Sequence, residues 1–277
     1  MYIDCHAHIF FSYIPKEDLD KDIIGMIPTP SIDFITQMIS NANKKGVKYI
    51  VGVISNPIDF IRYQKQLEFE NIIHVIGISR NNALENHSRL ISLLETELER
   101  KKPFGIGEIG LDYPYDQTKL DVSKINSLKI KQQELFKKQI AIAKENDIPI
   151  VVHAGYGTDK DIVEILKKEK AQDIGGQIHG YMSKKELVFE LLDMGFYFSF
   201  GYFHTREEEL KQIVEITPLE RLLIETDSPY HLMESPKKFI LPEDVISITK
   251  DIAYLKNIEL EIFTKQIITN ARVLFRF

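Results

Sequence analysis

Short runs of β-branched and aliphatic residues recur along this chain, and each is followed by a longer stretch in which apolar positions return at helical spacing. The runs are YIDCHAH (2–8), VKYIVGVIS (47–55), IIHVIGIS (72–79), FGIGEIG (104–110), IPIVVHA (148–154), IGGQIHG (174–180), FYFSFG (196–201) and RLLIETD (221–227). The spacing predicts helices near 32–45, 58–70, 85–101, 129–146, 159–170, 184–194, 206–216 and 243–256, with one more over 258–270. Eight strands alternating with helices predict an α/β protein of the (β/α)8 TIM-barrel type in preference to an open sheet. No linker rich in Pro, Gly or Ser divides the chain, so a single barrel domain over residues 1–277 is expected. The longest irregular connection, SYIPKEDLDKDIIGMIPTP, follows the first strand and has the length of a lid, a substrate wall or a surface excursion.

Composition narrows the chemistry. A net charge of -6 argues against a general electrostatic grip on nucleic acid, so a polyanionic substrate would need local help such as a metal ion. Cys5 is the only cysteine, which removes any disulfide framework and fits a reducing, cytoplasmic setting. The apolar runs are too short to cross a bilayer, so no membrane association is expected, and no feature calls for an obligate protein partner.

Side chains alternate along a strand, so Asp4, His6 and His8 share one face of the first strand and Cys5 the other. Two histidines spaced this way are weak evidence for an ion, since they can equally cap a strand end. The remaining strands change the weight: Glu108, His153, His179 and Asp227 stand near the C-terminal ends of the fourth, fifth, sixth and eighth. In a barrel those ends open onto one face, where active sites form. Four of the eight histidines and two carboxylates would converge there. Imidazole and carboxylate suit Mg²⁺, Mn²⁺ or Zn²⁺, and six ligands exceed what one open catalytic ion needs. Two divalent ions sharing a carboxylate use the set naturally, and such a site activates water for hydrolysis.

IDCHAH, GEIGLDY, PIVVHAG, IHGY, ETDSPY and the closing NARVLF resemble the TatD-type family of metal-dependent deoxyribonucleases, among the amidohydrolase-like barrels. The resemblance runs from the first strand to the C-terminus. It implies that His6, His8, Glu108 and Asp227 surround one ion, that Glu108, His153 and His179 surround a second, and that Asp227 also handles the proton. It further implies exonuclease-type (3′-5′) hydrolysis of phosphodiester bonds, with DNA ends or single-stranded DNA as substrate. A small ester, amide or aminoacyl linkage is the alternative for the same site, and a non-catalytic barrel stabilised by its ions is a third reading.

The chain departs from that family at the rim. After the fifth-strand histidine the family usually carries a small residue and then an arginine, whereas this chain reads HAGYG, with Gly155 and Tyr156 there. Phosphate recognition is then left to the ions and nearby donors: Lys184, His204, Arg206 and His231. Of these His204, on the glycine-led turn FGYFH, is expected to matter most. Asp112 and Tyr156 are further candidates for substrate contact. Glu225 shares parity with Asp227 and would either orient a ligand or make a structural ion pair, and Asp4 could take the second N–H of a ligating imidazole.

Overall fold

The computed structural model describes residues 1–10, 31–64, 68–83, 87–113, 122–155, 157–182, 184–229 and 240–277. Tyr156, His231 and the segment 12–30 lie outside the described residues. Eight parallel strands pair strictly in sequence order: β1 (Tyr2–Ala7), β2 (Val47–Ile54), β3 (Ile72–Ile76), β4 (Gly105–Leu111), β5 (Ile150–Ala154), β6 (Gly176–His179), β7 (Tyr197–Phe200) and β8 (Leu222–Ile224). The seam between the last and first strands is stitched by the segment after β8. Asp227 N–H donates to the His6 carbonyl at 2.9 Å and His8 N–H to the Ser228 carbonyl at 2.7 Å. The expected (β/α)8 barrel is the observed fold.

The helices among the described residues are α1 (Ile32–Lys44), α2 (Pro57–Arg62), α3 (His87–Arg100), α4 (Val122–Glu145), α5 (Asp159–Lys168), α6 (Lys185–Asp193), α7 (Glu208–Ile216), α8 (Val245–Leu255) and α9 (Leu260–Phe275). Local chemistry sets several of their starts. Ser31 caps α1 by accepting from Phe34 N–H at 3.1 Å, and Asn56 caps α2 from Ile58 N–H at 2.9 Å ahead of Pro57. Two expected helices differ in extent. The one read over 58–70 ends at Arg62, and the one read from 129 begins seven residues earlier, at Val122. In that first part of α4 the apolar stripe is thin: Ile125 is buried while Ile130 is exposed, so periodicity has little to register.

Both faces of the strands are covered, which is why they read as near-continuous apolar runs. The barrel interior is nonetheless polar toward its C-terminal mouth. Gln177 of β6 donates to Ser199 Oγ of β7 at 2.7 Å and to the Cys5 carbonyl of β1 at 3.2 Å, and Ser199 Oγ donates to Glu225. Asp4 accepts from Thr226 N–H at 3.0 Å and from its hydroxyl at 2.6 Å. These fully buried groups are linked across β1, β6, β7 and the exit of β8, forming a floor beneath the mouth. Among the described residues no helix is long and apolar enough to cross a membrane.

Candidate metal centre

The floor supports a compact set of imidazoles and carboxylates. His6 Nε2 and His8 Nε2 stand 3.1 Å apart, and His153 Nδ1 and His179 Nε2 stand 3.0 Å apart. Glu108 lies between the two pairs and gives one oxygen to each. Its Oε2 is 3.1 Å from His8 Nε2 and 3.9 Å from His6 Nε2, while its Oε1 is 3.0 Å from His153 Nδ1 and 3.5 Å from His179 Nε2. Asp227 Oδ1 joins the first pair, 3.6 Å from His6 Nε2 and 3.4 Å from His8 Nε2. The six residues expected from the strand ends are therefore brought together.

The donor set fits metal ions. Nitrogens bound at about 2.0–2.1 Å to one ion stand roughly 3 Å apart, which is the separation within each pair. Two groups meet the requirement of mutually close ligand atoms around Glu108: His6, His8, Glu108 and Glu108, His153, His179. Without an ion the cluster manages its charge with protons. Burial opposes charge on His8, but the Asp227 and Glu108 carboxylates outweigh it and push the imidazole up to about 9. His179, equally buried, is raised well above the usual histidine range by Glu108 and Glu225. Burial, reinforced by His179 and His8, drives His6 well below it. Burial would raise Glu108, yet Arg80 and the surrounding histidines hold it well below the carboxylate range. Ion binding would displace those protons.

Three details of the chain path shape the site. Glu108 lies inside β4 rather than closing it, and the β4–β5 register slips between Gly107 and Ile109, so Glu108 is the extra residue of a bulge. Asp227 follows β8 by three residues and adopts a left-handed φ of 52°, a conformation that aspartate tolerates better than most residues. Gly110, at φ +136°, lets β4 pass β5: a Cβ there would stand 2.1 Å from the His153 carbonyl oxygen. No substitution fits that gap.

The neighbouring residues surround this cluster. Glu225 Oε1 faces His179 Nδ1 at 3.6 Å, on the side away from Glu108. Asp4 does not take an imidazole N–H; both its oxygens serve Thr226, and His6 reaches it through the backbone N–H at 3.3 Å. Asp112 Oδ2 lies 3.7 Å from His153 Nε2 at the mouth. His204 is buried, accepts from Gly201 N–H at 3.1 Å through Nδ1 and meets the Tyr181 carbonyl at 2.8 Å through Nε2. A neutral imidazole protonated on Nε2 satisfies both contacts, and through them His204 braces the turn after β7. Arg206 stacks on Tyr202 with its guanidinium carbon 3.5 Å from the ring centroid and pairs with Asp251 of α8 at 3.9 Å. The Tyr181 hydroxyl donates to the Lys184 carbonyl at 2.7 Å, and the Lys184 side chain is exposed.

The model of the TatD related DNase family matches residues 3–276. The chain belongs to that family. Among relatives, the uncharacterized metal-dependent hydrolase YabD of Bacillus subtilis is 31% identical over 281 residues, covering 100% of this chain and 99% of its own. The uncharacterized metal-dependent hydrolase YcfH of Escherichia coli K12 is 29% identical over 264 residues, covering 94% and 89%. The crystal structure of the Escherichia coli TatD homologue YjjV superposes with a TM-score of 0.82 at 20% identity, covering 100% of this chain and 98% of that one. It shares the barrel.

One residue of the site escaped the sequence reading. Arg80 follows β3 on a 3₁₀ turn (Arg80–Asn82), donates to Glu108 Oε1 through Nη1 and stands 3.5 Å from Asp112 Oδ2 through Nη2. A basic residue just beyond a strand end, in GISRNN, is the signal available in the sequence. Helix α4 fixes both loops involved. Gln139 accepts from Ile78 N–H at 2.7 Å and donates to the Ile78 carbonyl at 2.9 Å, and Gln132 does the same for Asp112 at 2.9 and 3.0 Å.

Proposed function

We propose that the chain is a metal-dependent hydrolase that holds two divalent ions and cleaves phosphodiester bonds at DNA ends or in single-stranded DNA. The observation that carries this reading is the division of Glu108, one oxygen toward His6 and His8 and the other toward His153 and His179. His6, His8 and Asp227 with Oε2 would hold one ion of the Mg²⁺, Mn²⁺ or Zn²⁺ type, and His153 and His179 with Oε1 the other. Bound there, the ions supply polarisation of the scissile phosphoryl oxygen and of the attacking water.

The chain's own residues do the rest. Glu108 sets the spacing between the two histidine pairs. Glu225 faces the far nitrogen of His179 and fixes the direction in which Nε2 points. Asp227 sits closer to solvent than His6 and His8, where its carboxylate can take the proton of the water. With a net charge of -6 the surface offers a polyanion no long-range attraction, so few nucleotides engage at once. The family's description as TatD related DNase supports DNA as the substrate. The single cysteine, Cys5, is buried and free, in keeping with action in the cytoplasm.

The test is hydrolysis of a short 3′-overhang substrate by Mg²⁺- or Mn²⁺-loaded protein beside a panel of carboxylate esters, with Asp227→Asn as control. Wild-type protein is expected to shorten the DNA, and the variant to keep its fold while losing about a hundredfold or more in rate. Ready cleavage of esters with DNA left intact at equal metal loading would assign the site to the ester, amide or aminoacyl reading.

A further inference from the structure

We infer that Arg80 is the residue that grips the phosphoryl group of the substrate, supplied from the β3 exit and parked between Glu108 and Asp112 when no anion is present. The inference rests on the phosphodiesterase reading above for the identity of the anion, and on the following geometry for the residue.

The guanidinium is shared between two carboxylates, each through a single nitrogen, and the Asp112 contact is long at 3.5 Å. Its Nε is buried and has no hydrogen-bond partner among the described residues. Arginine–carboxylate ties are frequently bidentate, and that fork is what distinguishes arginine from lysine. Here one buried donor is unfilled and one partner is only loosely held. An anion with several acceptor oxygens is the ligand that this unspent donor capacity fits.

Arg80 also stands where its charge must yield. The oxygen it contacts, Glu108 Oε1, is the one shared with His153 and His179. His153, His179 and this oxygen would hold a cation through the same lone pairs that Arg80 uses, which would leave the guanidinium to Asp112. Asp112 Oδ2 is nearly equidistant from Arg80 Nη2 and His153 Nε2, at 3.5 and 3.7 Å, and its side chain is 40% exposed against 5% for Glu108. Released from Glu108, the guanidinium would turn toward Asp112 and the mouth beside His153.

The space next to β5 is arranged for a cation arriving from β3. Two residues after His153 stands Gly155, and a Cβ at that position would be 2.4 Å from Asp112 Oδ1. A side chain rooted there cannot coexist with Asp112 as placed. The carboxylate occupies the room of any residue 155 side chain and presents its other oxygen to Arg80. The peptide-like grips of Gln139 on Ile78 and Gln132 on Asp112 hold the two loops in this relation.

The experiment compares wild type, Arg80→Ala and Arg80→Lys, each loaded with Mn²⁺ and checked for thermal stability. Calorimetry reads Mn²⁺ stoichiometry and then binding of inorganic phosphate; kcat/KM is measured on bis(p-nitrophenyl) phosphate and on neutral p-nitrophenyl acetate. Arg80→Ala is expected to keep its Mn²⁺ stoichiometry, weaken phosphate binding by about tenfold or more, and lower phosphodiester kcat/KM by about a hundredfold while the neutral ester stays within about threefold. Arg80→Lys, which keeps the charge without the fork, should recover part of the phosphate affinity. Phosphate affinity unchanged in Arg80→Ala overturns the inference, as does a parallel fall of Mn²⁺ stoichiometry and of both activities, which would make Arg80 a prop of the ion site. Should Arg80→Ala not fold, Arg80→Lys decides by the same phosphate measurement, with wild-type affinity as the adverse result. If wild-type protein turns over no phosphodiester, the proposed function fails, and the phosphate-binding arm still judges Arg80.

Discussion

Asp4 holds Thr226 by both its backbone N–H and its hydroxyl, at 3.0 and 2.6 Å, and so ties the first strand to the segment that delivers Asp227. Burial pushes the Asp4 carboxyl well above its ordinary range, against the pull of the Thr226 bonds, so this is an expensive tie kept at a position that aims the site. Asp4→Ala takes the acceptor from three donors in the floor of the barrel, the Thr226 N–H and hydroxyl and the His6 N–H. Loss of about 2–4 kcal/mol in urea unfolding is expected, with weaker Mn²⁺ binding because Asp227 is no longer anchored. Wild-type metal affinity in a destabilised variant would show that the Asp227–His6 and Ser228–His8 backbone bonds position Asp227 without Asp4.

Glu108→Gln tests the shared carboxylate. An amide has one acceptor oxygen and cannot face both histidine pairs as an acceptor. The expected result is a fall from two bound Mn²⁺ to one or fewer by calorimetry, with kcat on any hydrolysable substrate down by about a hundredfold or more. Two ions bound with near wild-type affinity would mean that the histidine pairs suffice without a bridge.

His204→Ala should behave as a structural lesion. It leaves Gly201 N–H and the Tyr181 carbonyl without their imidazole partner, a cost of about 2–3 kcal/mol. Activity per folded molecule is expected to stay within about threefold of wild type. A large fall in kcat/KM with unchanged stability would return His204 to the substrate.

His74 makes stability depend on pH. It lies on β3 between Phe60 and Phe104, with ring centroids 5.7 and 5.3 Å away and neither nitrogen hydrogen-bonded among the described residues. Burial, helped by Lys101, pushes it down to about 4. The unfolded chain therefore binds the proton more readily, and stability is full above the ordinary histidine range and declines as pH falls through it toward 4. The decline amounts to about 3 kcal/mol between pH 7 and pH 4. In His74→Phe the drop in unfolding free energy over that interval should shrink by this amount; an unaltered pH profile would place the titration elsewhere.

The alternation of strands and helices was legible because each β-α unit carries its own apolar period, and the histidines were legible because a barrel sends every strand end to one face. What escaped notice depends on relations between units. The bulge that turns Glu108 inward arises from a register slip against β5, and nothing within GEIGLDY alone announces it. Asp227 reaches the site through a left-handed backbone after a strand of only three residues, where strand parity still gave the right face. His204 looked available because its turn leaves the correct end of the barrel; its two backbone partners, Gly201 and Tyr181, belong to different loops and cannot be inferred from spacing. Arg80 is not legible because β3 carries no expected ligand at its end, and its contact with Glu108 joins two units that spacing does not relate.

The two glutamines of α4 carry a consequence for how this barrel can change. Gln132 and Gln139 lie on one face of the helix, and each mimics a neighbouring peptide group, giving an acceptor and a donor to Asp112 and Ile78 respectively. A glutamate at either place offers the acceptor and loses the donor. The β-α units of the chain are thus not exchangeable modules: a chimaera that imports the β3 exit of a relative, or exports this one, separates Arg80 from the glutamine that sets its loop. Recombination among barrels of this kind should preserve function only where the crossover keeps the stretch from β3 through α4 in one piece.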